Sequence, residues 1–444
     1  MFFIALSVIW VNINHERWHS KNVILHDVVN YYGYLPAIFI EQDISLSFLK
    51  QEVSPNKIYR YTPNKTPNGN YVFKASMGMA LTYLPFFASA HLFAKTFAYE
   101  ADGFSGPYHF AILCSSLFYF LIGIFYLHKV LKRYFNEVIV LTVIFCFCFA
   151  TNVFYYLTIA GGLSHIVGFS IMAAFMHYFI KWYEQPKIKY SVILGFILAI
   201  AVLVRPINGL MIVLFFLYNI QSLDDLKTRL KFYAANKFAL VLMAITAFVL
   251  VLPQLLYWKF ISGQYFFNSY VGEHFFFNHP HVFYGLFSFR KGWLIYTPLM
   301  ILAVLGLFTL KKQLPAFFIA QLTFVAIYIY VVFSWWCWWY GGSFGQRALI
   351  DIYSVLAIPF AAFLNFVKLK SPSKTKWLQM FLIFVLVLNI WQTTQAKYNI
   401  IHYDSMTRSN YFRVLFTMTK QDNRELYLQH PDYEKALKGE EEYH

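Results

Sequence analysis

The stretch ASMGMALTYLPFFASAHLFAKTFA, residues 75–98, decides how the chain is threaded. It is long and apolar enough to span a bilayer, which takes about 20 helical residues. Pro85, His91 and Lys95 interrupt it, however, and Lys74 stands directly before it. We read it as a juxtamembrane or re-entrant segment that does not cross. Eleven other apolar runs lie at 1–13, 108–128, 137–157, 164–180, 190–204, 207–220, 238–257, 294–310, 315–333, 349–367 and 377–393. Sixteen Lys and Arg residues fall in the short loops 129–133, 181–189, 227–237, 311–312 and 368–376, whereas five (Arg205, Lys259, Arg290, Lys291 and Arg347) fall in the loops between. Basic residues accumulate in cytoplasmic loops, so the first set is read as inside. That alternation holds only if 75–98 stays on one side and 190–204 pairs with 207–220 as a hairpin. The expected architecture is an all-α polytopic membrane protein of about 11 transmembrane helices with outer-face juxtamembrane helices, its N-terminus inside and its tail outside.

Composition leads to the same class. Of 444 residues, 59% are hydrophobic, 21% aromatic and only 13% charged, against about 25% charged in a soluble domain. A net charge of +15 could suit nucleic acid, but the basic residues are distributed as topology signals and no nucleic-acid partner is expected. Cys114, Cys146, Cys148 and Cys337 lie mostly within apolar runs and show no CxxC spacing, which argues against a disulfide framework or a structural zinc site. The first run is short and lacks a basic flank, so residues are expected to be missing before it. A cleaved signal peptide is not suggested, because no basic n-region or small-residue cleavage site is present.

Three segments lie outside the spans. Residues 1–393 form the membrane domain, which carries a first outer loop at 14–107 and a second large outer loop at 258–293. Residues 394–444 form a short extracytoplasmic C-terminal tail, expected to hold partly ordered helices and no catalytic group. Within the first loop, SPNKIYRYTPNKTPNGN at 54–70 has the prolines, Asn and Gly of a loop, a common docking place for an acceptor. His274, His279 and His281 in the second loop lack the acidic partners and spacing of a metal site, so no metal ligand is assigned.

The chemistry is expected at HDVVNYYGYLP, residues 26–36, just beyond the first run. Asp27 is the carboxylate, with His26, Tyr31 and Tyr32 beside it; the alternative is a solvated aspartate among interfacial aromatics. His165 stands at the outer mouth after the Gly161-Gly162 turn, as an interfacial residue or a participant. Arg205, before Pro206 and between two short runs, is costly at membrane depth unless it faces a cavity or an anion, or snorkels to the headgroups. Arg290 and Lys291 form a basic pair just before a span, suited to a lipid phosphate. Arg347 and Asp351 are four apart and share a helix face; the aspartate either fixes the guanidinium toward a phosphate or forms a purely structural pair. With Lys74, these cations all fall on the outer side, whereas a transporter places its polar residues near the midplane.

One carboxylate among several cations suits transfer from a phosphate-linked donor. The leaving phosphate needs charge stabilisation, not protonation, and a single base can deprotonate the acceptor hydroxyl. A glycosidase would need a second carboxylate.

The chain also resembles the GT-C superfamily of polytopic glycosyltransferases, which includes protein O-mannosyltransferases and the aminoarabinose transferase of lipid A. The resemblance covers most of 1–367. It rests on Asp27 with YYGYLPA at 31–37, FKASMGMALTYLPFFASAH at 73–91, TNVFYY at 151–156 with Ser164-His165, LVRP at 203–206, FRKGWLIYTP at 289–298 and WWYGGSFGQR at 338–347. It implies that Asp27 is the catalytic base and that Lys74 lies near the donor phosphate, to which Arg205, Arg290, Lys291 and Arg347 are added as candidates. Asp27 is followed by Val28 where the mannosyltransferases carry an Asp-Glu pair, which separates the chain from them. The implied partners are a polyprenyl-phosphate-linked sugar donor, a glycan, lipid or protein acceptor, and membrane lipids. No cofactor is assigned, and a divalent metal is left open. The implied location is a bacterial inner (cytoplasmic) membrane with the site facing outward. The competing reading is a non-catalytic carrier or flippase of lipid-linked sugars.

Overall fold

The computed structural model describes residues 1–50 and 60–440. It is 68% helical, and its one sheet among the described residues is a hairpin pairing Asn64–Lys65 with Tyr71–Val72. The class is all-α. Six helices are long and apolar enough to cross a membrane: Gly106–Leu131, Ser164–Glu184, Lys237–Ser262, Pro315–Phe333, Arg347–Lys370 and Pro372–Lys397. Shorter apolar helices, Phe2–His15, Glu137–Phe149, Ile188–Val204 and Pro206–Leu217, occupy four of the remaining runs, and Leu299–Gln313 occupies the fifth.

Six helices meet the length and composition of a span, where the sequence suggests eleven, because the other apolar runs form shorter helices, some of them ended by local breaks. Helix Glu137–Phe149 stops before Thr151 and Asn152, and a new helix begins at Val153. Arg205 is extended, at φ −153° and ψ 119°, because the residue before a proline is pushed out of the helical region. Pro298 likewise separates Trp293–Tyr296 from Leu299–Gln313.

The helices pack in long pairs. Gly106–Leu131 lies along Ser164–Glu184, Ile188–Val204 along Lys237–Ser262, and Leu299–Gln313 along Tyr353–Lys370. Ser164–Glu184 and Arg347–Lys370 form the centre, 72% and 78% buried over their apolar windows, whereas Lys237–Ser262 is 22% buried. That peripheral helix turns Val241, Ile245, Phe248 and Val249 outward, a face that only an apolar solvent would suit.

Residues 75–98 contain the helix Gly78–Thr96, which is not among the six. Its entry is fastened on several sides. Tyr34 donates to the Ala75 carbonyl at 2.8 Å, Ser76 to the Leu203 carbonyl at 2.7 Å, and Met77 N–H to Gln254 at 2.7 Å. Gly78 lies directly on the Leu203–Val204 backbone, where a side chain would collide with main-chain atoms that cannot give way.

The 54–70 loop is less open than expected. Residues 51–59 lie outside the described residues, but from Asn64 onward the loop is anchored. Asn64, Asn68 and Asn70 donate to the carbonyls of Ser269, Ser262 and Ile261 at 2.8, 3.2 and 3.0 Å. The tail forms a small second core, in which Ile400, Ile401, Met406, Tyr411 and Val414 close over Tyr296 and Phe344. The last residues of its acidic end, 441–444, are not described.

Candidate functional site

Asp27 opens the helix Asp27–Tyr32, where the backbone amides of a first turn favour an anionic side chain. Arg347 comes from the far end of the chain. The loop that delivers it, GGSFGQ at 341–346, turns at Gly342 and Gly345, with φ +66° and +59°. Its path is pinned by Asn152 and Tyr156, both donating to the Phe344 carbonyl at 3.2 and 3.1 Å, and by Gln346 donating to the Trp338 carbonyl at 3.0 Å. The result is an Arg347–Asp27 ion pair of 2.8 Å. The carboxylate is 39% exposed while the guanidinium partner is 14% exposed, so Asp27 is partly open and Arg347 approaches it from the protein side. Burial alone would raise its pKa; Arg347 and then Lys74 outweigh burial and hold it below the usual carboxylate value. The Tyr31 phenol, beside it, is pushed up to about 12 by burial and by the Asp27 charge.

A second charged cluster lies next to the first. Asp351, fully buried, pairs with Arg205 and lies 3.3 Å from His165 Nδ1, and Arg205 Nη1 is 3.2 Å from the same nitrogen. Tyr328 adds a hydroxyl 3.3 Å from Asp351 and 3.1 Å from Asn208 Oδ1. Room for this carboxylate is made by Gly168, one turn past His165, where a Cβ would occupy the Asp351 oxygen position. Ser164, the residue before His165, donates to the Tyr31 hydroxyl at 3.4 Å, which links the two clusters.

The pairing differs from the expected one. Arg347 and Asp351 do not pair with each other: the segment Arg347–Ile352 is a 3-10 turn, in which residues four apart no longer stack as they do on an α-helix. Each takes a distant partner, Asp27 for Arg347 and Arg205 for Asp351.

The remaining candidates separate. Lys74 pairs with Glu273 and lies 5.1 Å over the Tyr270 ring, close enough to act on Asp27 electrostatically. Tyr32 is buried and donates to the Gly103 carbonyl at 2.5 Å, and His26 is exposed. Arg290 and Lys291 are both about 99% buried and turned toward the tail and the 339–343 loop. Arg290 packs 5.2 Å over Trp339 and donates to the Gln429 carbonyl at 3.2 Å, while Lys291 donates to the Ser343 carbonyl. Burial brings the Lys291 pKa down to about 7. A lipid phosphate meeting this pair would have to displace the tail.

Three members of the site escape a reading by sequence. Glu273 is the one acidic residue between 258 and 293, a weak signal that a loop lysine needs a partner. Tyr328 and Asn208 lie within apolar runs and give no signal until the fold brings them to Asp351. A cavity of about 480 Å³ lined by Trp18, Phe86, Phe93, Phe110 and Cys114 contains none of these charged groups; it is an apolar recess on the flank of the same Gly78–Thr96 helix.

No protein-family model matches the chain, and no curated protein is similar to it.

Proposed function

We propose that this protein is an inverting glycosyltransferase of GT-C type, built on about 11 spans, which moves a sugar from a polyprenyl-phosphate donor to an acceptor at the extracytoplasmic face of the membrane. The observation that carries the reading is the Asp27–Arg347 pair at 2.8 Å with the Asp351–Arg205–His165 cluster linked to it through Tyr31 and Ser164. One partly exposed carboxylate thereby lies near two guanidinium groups and one ammonium group, Arg347, Arg205 and Lys74, drawn from three separate segments.

In the resting arrangement Asp27 is a weak base, because Arg347 stabilises its charged form. A donor phosphate offers Arg347 a second anion with matching bidentate geometry. As the guanidinium turns to the phosphate, the effect of burial on Asp27 prevails and its basicity rises. The acceptor hydroxyl then attacks the anomeric carbon, its proton passes to Asp27, and the bond from that carbon to the phosphate oxygen breaks. The electron pair leaves with the phosphate, whose charge Arg347, Arg205 and Lys74 stabilise. Direct displacement inverts the anomeric centre. The apolar recess beside the Gly78–Thr96 helix suits the hydrocarbon of the donor.

Asp27→Asn tests the base role. Transfer of radiolabelled sugar from a polyprenyl-phosphate donor should fall by about 10²–10⁴-fold while donor binding persists. Near-normal turnover in that variant would remove the assignment. A carrier or flippase would instead pass donor across vesicles without forming a glycosidic product.

A further inference from the structure

The tail was expected to carry no catalytic group, and it holds the one cluster of potential metal ligands among the described residues: His402, Asp404 and His430, each with a ligand atom within 4.8 Å of the others. His402 and Asp404 are buried and His430 is exposed. Proton bookkeeping makes the cluster unusual. His402 Nδ1 accepts from the backbone amides of Asp404 and Ser405 at 3.3 and 3.1 Å, so it carries an electron pair. The same nitrogen lies 3.1 Å from Asp404 Oδ1, and two electron-rich atoms at that distance repel unless a proton or a metal ion adds positive charge there.

The same conflict recurs at His430. Its Nε2 lies 3.0 Å from Glu425, an arrangement that places a proton on Nε2 and leaves Nδ1 as a lone pair directed inward. A carboxylate behind an imidazole in this way is the usual support of a metal-binding histidine. Nδ1 then meets Ser405 Oγ at 3.0 Å, but that hydroxyl has a single hydrogen and already donates to Asp404 Oδ1 at 2.6 Å. Tyr433 donates to the other carboxylate oxygen at 2.9 Å, so Asp404 is held from both sides. Ligands about 2.1 Å from a tetrahedral metal lie about 3.4 Å apart; His402 and Asp404 are 3.1 Å apart and the three ligand atoms all lie within 4.8 Å of one another, so a small inward movement of His430 would complete the set.

We propose that His402, Asp404 and His430 bind a divalent transition metal of the zinc class, with a water as fourth ligand. Two imidazoles select such a metal over calcium or magnesium, which take oxygen ligands. The ion would join residues 402–405 to residue 430 and close the strand of tail between them. Gln429, which accepts from Arg290, is adjacent to His430, so the metal would clamp the tail onto the 289–292 loop. Such a metal clamp in the tail is independent of glycosyltransferase activity at Asp27.

The test uses the full chain, purified in detergent without a polyhistidine tag, stripped with chelator and titrated with Zn²⁺. About one equivalent should remain after gel filtration, with the tail becoming resistant to limited proteolysis. His430→Gln, at an exposed position, should keep the fold and lose both effects. Glu425→Gln should weaken zinc affinity by roughly 10–100-fold. Substoichiometric retention in the unaltered protein would overturn the site and leave a doubly protonated His430 to resolve the conflict, and equal retention in His430→Gln would place the zinc elsewhere.

Discussion

At the scale of the residue, the ion pair between Asp27 and Arg347 governs what the site can do at each pH. Asp27 titrates below the ordinary value of 3.8 because Arg347 and Lys74 overcome the effect of burial. Its charged form therefore persists as the pH falls through the usual carboxylate range, and the acidic limb of kcat/KM should lie below that range. Removing the first cation reverses the balance. In Arg347→Gln the effect of burial is no longer matched, so the acidic limb should move upward, and Arg347→Lys should restore part of the shift. An unmoved limb in Arg347→Gln would mean that Asp27 is not the group titrating. Donor affinity gives a separate measure of the same residue. A hydrogen bond to a charged group contributes about 1.5–3 kcal/mol, so Arg347→Gln and Arg205→Gln should each weaken binding of the lipid phosphate by roughly 10–100-fold. Unchanged affinity in both would count against the phosphate clamp.

At the scale of the element, Ser164–Glu184 does more than fill the centre of the bundle. It presents Ser164 to Tyr31, His165 to Asp351, and the bare backbone of Gly168 to the Asp351 carboxylate. Gly168→Ala puts a methyl group where that carboxylate lies, and overpacking of a filled core costs about 1–3 kcal/mol. The expected outcome is a lower melting temperature in detergent together with weaker donor binding, because Asp351 can no longer hold Arg205. A variant as stable as the parent would show that the helix can move away from the carboxylate. The length and apolar content of the run located this helix, because a continuous stretch of large apolar side chains has few alternatives. The partners of its polar residues were not legible in the same way. Arg347 and Asp351 read as neighbours because a four-residue spacing implies one face of an α-helix. Whether the segment is α or 3-10 depends on the glycine turns before it and on Asn152 and Tyr156, nearly two hundred residues earlier. Glu273, Tyr328 and Asn208 were missed for the same reason: each matters only through a contact made by the fold.

At the scale of the whole molecule, the decisive property is the side on which each loop lies, and this rests on the helix Gly78–Thr96. Composition keeps it out of the six helices long and apolar enough to cross, and the residues leading into it are bonded to Tyr34, Leu203 and Gln254. Asp27 and Lys74 precede it, while Arg205 and Arg347 come from segments far along the chain, so a crossing at this point would change the relation between loop charge and membrane side. Cysteine labelling distinguishes the arrangements. Cys146, Cys148 and Cys337 are buried and Cys114 is partly so, and all four can be replaced by alanine to give a silent background. Single cysteines at Lys65 and Glu100, both exposed and on either side of the helix, should then react with a membrane-impermeant maleimide in right-side-out vesicles. A cysteine at Lys187, in a loop rich in basic residues, should react only after the membrane is opened. If Lys65 and Glu100 label from opposite sides, the helix crosses, the alternation of basic loops fails, and the assignment of the Asp27 cluster to the extracytoplasmic face is lost.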